Sequence, residues 1–344
     1  MFLATLASAL AAPTVDGTLL AGARTAPESS VQLPSAWEGD FAPSALVSAN
    51  VRLRLGGDQG AWARLELGGW GYTDLDASVA TGGLGLGWRG TMGQTNLDLA
   101  GRYDAQVFPV LFDASNGRAE LIGSARRAAP TWSLTGQATG IDRRFVGESG
   151  FNTGELGAVF GWSPGACGLD VGASAQVNAA NTGAIGLQGR TLLRLRAGAG
   201  SWHVAVEHRL IYAADGEAER ESRAAITATG DYSDDIDALS GGGFVQNRVG
   251  VSGAFNAGPW TLSAGGFARF RGAETEEEAA VSFIRTWSGQ ARVERAFGDD
   301  LDVFVAGGAA GATLATGTGY VDTFGWLGLD VRFPSAPPRG STGG

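Results

Sequence analysis

Hydrophobic and polar residues alternate one by one along most of the chain, in segments of about ten residues. Segment 51–55 places valine and leucine on one side and two arginines on the other, and segments 96–105, 169–178 and 187–196 repeat this arrangement. A period of two residues is the period of a β-strand. The pattern therefore predicts a protein made of strands with one apolar face and one polar or small face.

Short, turn-forming connections alternate with longer and more acidic ones. The short connections are GGDQG from Gly56, RGTMGQ from Arg89, AAPT from Ala128, SPGA from Ser163, AGAG from Ala197, NAGP from Asn256 and GDD from Gly298. A soluble β-sandwich also alternates, but its strands run about five or six residues, whereas these run about ten to thirteen. Long strands with short turns at one end and longer loops at the other are typical of a transmembrane β-barrel.

Aromatic residues lie next to the short connections, most of them on the apolar face. This first row comprises Trp62, Trp88, Trp132, Trp162, Trp202, Trp260 and Phe297. A looser row at the other strand ends comprises Tyr72, Tyr103, Tyr212, Phe270 and Tyr320. Aromatic side chains that filled a sandwich core would lie in the middle of the strands. Rows at the strand ends indicate girdles at the membrane interface, for which Trp88, Trp132, Trp162, Trp202, Trp260 and Phe333 are the predicted residues.

The strand count follows from the turns. Seven short turns imply fourteen paired strands between residues 45 and 313, with one strand before them, near 17–25, and one after them, ending at Phe333. The predicted fold is an all-β, antiparallel, up-and-down transmembrane β-barrel of sixteen strands. Fourteen strands is the alternative, because the first segment is weak. A barrel of this size is expected to hold a water-filled interior.

The last strand, FGWLGLDVRF from Phe324, carries alternating apolar residues and ends on an aromatic one. These are Leu327, Leu329, Val331 and Phe333. In this respect the chain resembles bacterial outer-membrane β-barrel proteins, porin-like in organisation, which present such a strand to the barrel-assembly machinery. The resemblance implies a Gram-negative outer membrane, contact with its lipid and lipopolysaccharide, and both termini in the periplasm. Residues 334–344 resemble a short disordered periplasmic tail.

The first residues, MFLATLASALAAP, have the apolar stretch of a secretory signal and a small-x-small site at Ala9-Leu10-Ala11. They lack the positively charged segment of such signals. On the apolar stretch and the small-x-small site we expect a signal peptide, complete or truncated, over residues 1–11, followed by the barrel over 12–333. A short buried N-terminal helix is the alternative interpretation.

Composition narrows the function classes. The 344 residues include 56 glycines, about twice the usual share, and 17% charged residues, below the usual roughly 25%. The net charge of −10 argues against nucleic acid as a partner. Cys167 is the single cysteine, and the chain shows no spacing of cysteine and histidine that would hold zinc, so we predict neither a metal nor another cofactor.

The negative charge is concentrated in the predicted outer loops. Segment 213–240 has eight acidic residues and two arginines, segment 272–280 adds four glutamates, and the first loop adds Glu28, Glu38 and Asp40. Together these segments carry a charge of −13. Because the whole chain has a net charge of −10, the rest of the chain has a net charge of +3. The long acidic loop could be solvated, fold into the pore, or bind divalent cations that bridge lipopolysaccharide.

Arginines outnumber acids on the polar face of the strands. The predicted pore-lining residues are Arg52, Arg54, Arg64, Glu66, Arg102, Arg118, Glu120, Arg190, Arg194, Arg196, Arg248 and Arg269. An arginine excess in a narrow aqueous space predicts a mild preference for anions. The alternative is that these residues form cross-strand ion-pair ladders that only solvate the interior.

Catalysis has little support in the sequence. His203 and His208 are the only histidines, and their spacing puts them on opposite faces of one predicted strand. No nucleophile or metalloprotease motif accompanies them, so we predict that the protein is not an enzyme. Two functions remain. One is a channel for passive diffusion of small hydrophilic solutes; the other is the barrel component of an assembly for secretion, polymer export or surface motility, with periplasmic or outer-membrane partner proteins.

Overall fold

A computed structural model describes residues 14–24, 44–56, 59–72, 78–109, 115–146, 150–180, 185–213, 244–272, 283–314 and 319–333. The predicted signal peptide (1–11), the predicted tail (334–344) and nearly all of the acidic segments 213–240 and 272–280 lie outside these residues. No helix in the described ranges is long and apolar enough to cross a membrane, a finding that does not bear on crossing by strands.

Sixteen β-strands account for most of the described chain. They are β1 (Thr14–Arg24), β2 (Ser44–Leu55), β3 (Gly60–Tyr72), β4 (Ser78–Met92), β5 (Thr95–Val107), β6 (Asn116–Ala128), β7 (Trp132–Phe145), β8 (Phe151–Trp162), β9 (Cys167–Ala180), β10 (Ile185–Ala199), β11 (Trp202–Ala213), β12 (Phe244–Ala257), β13 (Trp260–Arg271), β14 (Phe283–Phe297), β15 (Leu301–Leu314) and β16 (Gly319–Phe333).

Every strand pairs antiparallel with its neighbours in the chain, and β1 pairs with β16 to close the barrel. The prediction of a sixteen-strand up-and-down barrel is confirmed, and the fourteen-strand alternative is wrong. Strand β1 has weak alternation, yet it is paired along its whole length with β2 and from Val15 to Arg24 with β16. Closure supplies hydrogen bonds on both of its edges, so it needs no strong alternation of its own.

All seven predicted short connections join strands at one end of the barrel, which we call the short-turn end. Both chain-terminal strands also have their outer ends there, since Val15 pairs with Phe333. Five of the seven turns contain a glycine with positive φ; Gly200 and Gly258, at φ 59° and 60°, adopt the left-handed conformation that a two-residue connection requires. The opposite end, where residues 25–43 and 214–243 connect strands, is the long-connection end.

The two faces of the sheet differ in exposure, which shows which face is inside. Large apolar side chains on one face are exposed, among them Leu86 at 59% and Leu121 at 71%. Side chains such as Phe304 and Asp302, on the other face, are almost fully buried. The outside of a single closed sheet has no further layer to cover it. The buried and charged face is therefore the interior face, and the exposed apolar face points outward.

Many of the glycines lie beneath aromatic rings of a neighbouring strand. A Cβ on Gly308 would lie 2.8 Å from the Phe324 ring, and one on Gly311 would lie 2.6 Å from Trp287. A Cβ on Gly328 would meet the Phe304 ring in the same way. Glycine at these positions lets a ring lie flat against the adjacent strand. Part of the glycine excess thus has a packing cause.

Candidate functional site: the interior wall of the barrel

The outward aromatic residues at the short-turn end form one row, which we call the short-turn aromatic row. Its members are Trp88, Trp132, Trp162, Trp202, Trp260, Phe297 and Phe333, and they are between 37% and 58% exposed on the outer face. Tyr103, Tyr212 and Phe270, nearer the other end, are also exposed on the outer face. The side chains of Tyr72 and Tyr320 lie outside the described residues. A position at the lipid headgroups remains a prediction for both rows.

Trp62 differs from the other tryptophans next to the short turns. It has the parity of Arg64, is 8% exposed, and packs against Gly87 on the interior face. The Arg89 guanidinium lies 5.6 Å from its ring centroid. Trp62 is therefore part of the interior wall and does not belong to the outward row.

Charged side chains on the interior face of β1, β2 and β3 form a connected network. Arg52 contacts Asp16 Oδ2 at 3.4 Å and Glu66 Oε1 at 3.2 Å, and Arg64 also pairs with Glu66. Arg54 lies directly opposite Arg64 in the strand register. The carboxylates hold these arginines in position along the wall. Each such partly exposed pair contributes only about 0–1 kcal/mol to stability, so positioning is their main effect.

Other predicted wall residues form cross-strand or same-strand pairs of the same kind. Measured between charged atoms, they are Arg118–Glu120 at 3.4 Å, Arg190–Glu155 at 3.4 Å, Arg194–Glu207 at 2.7 Å and Arg196–Asp170 at 2.8 Å. Arg102 lies opposite Glu120 in the register, and Arg248 lies opposite Arg269. The ion-pair interpretation thus accounts for much of the wall. That these side chains line an open pore remains a prediction.

Two aspartates lie directly opposite each other on β15 and β16, and each has its own arginine. Asp302, which is 5% exposed, is bound by Arg332 at 2.5 Å. Asp330 is bound by Arg292 at 2.5 Å and accepts a hydrogen bond from Thr18 at 2.6 Å. The two arginines offset the repulsion expected between opposed like charges.

An apolar cluster on the interior face was not predicted from the sequence. Leu20, Phe304, Phe324 and Trp326 form this interior aromatic cluster, with exposures of 6% or less. Arg292 stacks on the Phe304 ring, with its guanidinium carbon 3.5 Å from the ring centroid. A signal was present in the sequence, because Phe304 and Phe324 have the parity of the charged residues in their strands.

The two histidines lie on opposite faces of β11. His203 has interior parity, whereas His208 has the parity of the exposed Val206, and its Nε2 lies 3.2 Å from Asn247 Oδ1. Among the described residues, no group of three histidine, cysteine, aspartate or glutamate side chains could hold a metal ion. The histidines therefore do not share a site.

Comparison with known proteins identifies the fold of the chain but does not assign the chain to a family. No family model and no curated protein matches the sequence. Among solved structures, a bacterial polysaccharide outer membrane secretin is similar, with a TM-score of 0.51, 12% identity, and coverage of 93% of this chain and 98% of that one.

Two further solved structures are similar. OpdO of Pseudomonas aeruginosa has a TM-score of 0.50 and 11% identity, covering 95% of this chain and 99% of that one. CdiB from Acinetobacter baumannii has a TM-score of 0.56 and 7% identity, and the match covers 93% of this chain but 60% of that one. The chain has the fold of bacterial outer-membrane β-barrel proteins. At these identities the likeness concerns the fold alone.

Proposed function

We propose that the protein is a porin-like channel of a Gram-negative outer membrane, through which small hydrophilic solutes diffuse passively. The observation that carries the proposal is the division of one closed sixteen-strand sheet into an apolar outer face and a charged interior face. The outer face suits a lipid environment, and charged residues on the inside suit water. Arg52, Arg64 and Glu66 are examples of the side chains that would meet the solute.

The proposal includes a mild preference for anions and no catalytic role. Arginines exceed acidic residues on the interior face, and positive charge in a narrow aqueous space favours anions. His203 and His208 lie on opposite faces of β11, so the two imidazoles are not positioned to act together as acid and base on one substrate. The acidic loops would lie outside the cell and both termini in the periplasm.

Contacts with other molecules are part of the same proposal. The outward face would contact outer-membrane lipid and lipopolysaccharide. Strand β16 would be presented to the barrel-assembly machinery, with Leu327 and Phe333 both 58% exposed on its outer side. Replacing Phe333 with alanine is expected to slow membrane assembly of the protein in cells, measured as the fraction that becomes resistant to protease.

Planar-bilayer recording tests the channel. Purified folded protein is expected to give discrete conductance steps, and a KCl gradient is expected to give a reversal potential of the anion-selective sign. A folded barrel that inserts but never conducts would contradict the channel. That outcome would favour the second function, a barrel in an assembly for secretion, polymer export or surface motility, which copurification with periplasmic partners would then test. The fold does not choose between the two, because it also matches a polysaccharide secretin.

A further inference from the structure

Positive charge is concentrated on one part of the barrel, the four consecutive strands β10 to β13. These strands contain seven arginines and a single acidic residue, Glu207. Strands β12 and β13 contain no acidic residue at all. By contrast, β1 to β5 carry four acidic residues against six arginines. The excess of arginine over acidic residues is therefore largest on these four strands, and β1 to β5 carry a smaller excess.

Three of these arginines lie side by side. Arg209 of β11 is directly opposite Arg248 of β12, which is directly opposite Arg269 of β13. Neighbouring strands are about 4.8 Å apart, so the three side chains start within reach of one small ligand. Opposed arginines on neighbouring strands bring several guanidinium donors to one place on the interior face. We call these three residues the arginine row.

The row is held in place by the wall around it. Arg269 is 4% exposed, and Arg271, two residues further along β13, is 7% exposed. The Arg248 guanidinium lies 4.3 Å from the centroid of the Phe267 ring. Arg209 contacts Glu207 at 2.5 Å and is 38% exposed, which leaves access from the interior. Side chains fixed in this way lose little conformational entropy when a ligand binds.

Two buried polar groups beside the row have unused hydrogen-bonding capacity. Thr286 of β14 lies opposite Arg269 and is 3% exposed, and its hydroxyl has no hydrogen-bond partner within the described part of the chain. Gln246 lies opposite Arg271 and is also 3% exposed, and its Oε1 likewise has no partner there. Buried polar groups are normally satisfied. A polar ligand at this place would satisfy them.

We infer that the arginine row, together with Arg271, Gln246 and Thr286, is a binding site for the carboxylate or phosphate group of a small solute. Planar guanidinium groups bind both oxyanions through paired N–H donors, and the Thr286 hydroxyl can donate a further hydrogen bond. The inference deepens the proposed channel function, since such a site is where an anionic solute would pause on its way through. The site lies towards the long-connection end of β11, β12 and β13.

Equilibrium dialysis of the detergent-solubilised, folded barrel against phosphate or acetate at low ionic strength tests the site without requiring conductance. We expect saturable binding of at least one of the two anions, and the stronger one identifies the preferred oxyanion. The double variant Arg248→Gln and Arg269→Gln is expected to weaken binding about tenfold or more. Thr286→Val, which keeps the charge and nearly the shape, is expected to weaken it several-fold and serves if the double variant does not fold.

The matched control replaces two arginines of the outer face, by Arg144→Gln and Arg295→Gln. Arg144 has the parity of the exposed Leu134 on β7, and Arg295 has the parity of the exposed Val293 on β14. The control lowers the total charge equally and is expected to change affinity less than twofold. No saturable binding of either anion, equal loss in the control, or unchanged affinity in the Thr286 and double variants would each overturn the site. A barrel that binds an oxyanion but does not conduct would contradict the channel and leave the site standing, so the two failures are distinguishable.

Discussion

The contact between Phe304 and Gly328 gives a sharp test of how the interior is packed. The Phe304 ring is 2% exposed and occupies the space that a Cβ on Gly328 would need. Replacing Phe304 with alanine removes this ring and its contact with Arg292, which lies 3.5 Å from the ring centroid. We expect a loss of about 3 kcal/mol in the free energy of unfolding, at the lower end for a buried phenylalanine because the cavity adjoins the barrel interior.

The reciprocal change adds the missing Cβ. In the wild type, Gly328→Ala is expected to cost about 2 kcal/mol, because the ring must move or the strands must separate. In the Phe304→Ala background the same methyl group enters vacated space, and its cost is expected to fall to near zero. The two substitutions should therefore be coupled by about 2 kcal/mol.

Urea unfolding of the barrel from lipid vesicles, followed by tryptophan fluorescence, measures all four corners of this cycle. The matched control is Gly325→Ala on the same strand, where an added Cβ meets nothing within 4 Å. That control is expected to change stability by less than about 0.5 kcal/mol. If the effects of Phe304→Ala and Gly328→Ala are additive within about 0.5 kcal/mol, the ring does not lie over Gly328 and the reasoning fails.

Three further predictions concern the turns, the buried charges and the two classes of tryptophan. Gly200→Ala should lower the free energy of unfolding in the same urea assay by about 1 kcal/mol, because φ is positive there. Gly165→Ala should lower it less, because φ is not positive at Gly165 and an added Cβ meets nothing within 4 Å. Equal losses for the two variants would contradict the conformational argument. Arg332→Gln should lower the free energy of unfolding more than Asp302→Asn does, because it leaves the buried Asp302 carboxylate without the guanidinium that lies 2.5 Å away. The reverse order would be evidence against that ion pair. In variants with one tryptophan each, lipids brominated near the headgroup should quench any tryptophan of the short-turn aromatic row but not Trp62, and strong quenching of Trp62 would place it outside.

The alternation of residue types predicted most of the strands, and the seven tight turns predicted sixteen of them, with fourteen as the alternative. These signals act locally, so a single sequence shows them: alternation with a period of two residues, glycines in most of the turns, where φ is positive, and prolines in the others. Strand β1 was the weakest prediction because its order depends on pairing with two distant strands, β2 and β16. Closure of the barrel is a global property, and no local pattern reports it.

The parity of the charged residues was also predictable, but their neighbours were not. Whether Arg248 meets a glutamate or another arginine depends on the register between β12 and its two partner strands, and a shift of two residues keeps the face and changes the neighbour. A count of arginines and acids over the whole wall therefore predicts one uniform, mild preference for anions. The observed register places the connected network of Arg52, Glu66 and Asp16 on β1 to β3 and the arginine row on β11 to β13, so the two regions occupy different parts of the closed sheet. A channel of this kind should discriminate among anions mainly at β10 to β13, so substitutions there should change which anion passes, whereas equal charge changes around Arg52 should shift only the overall preference.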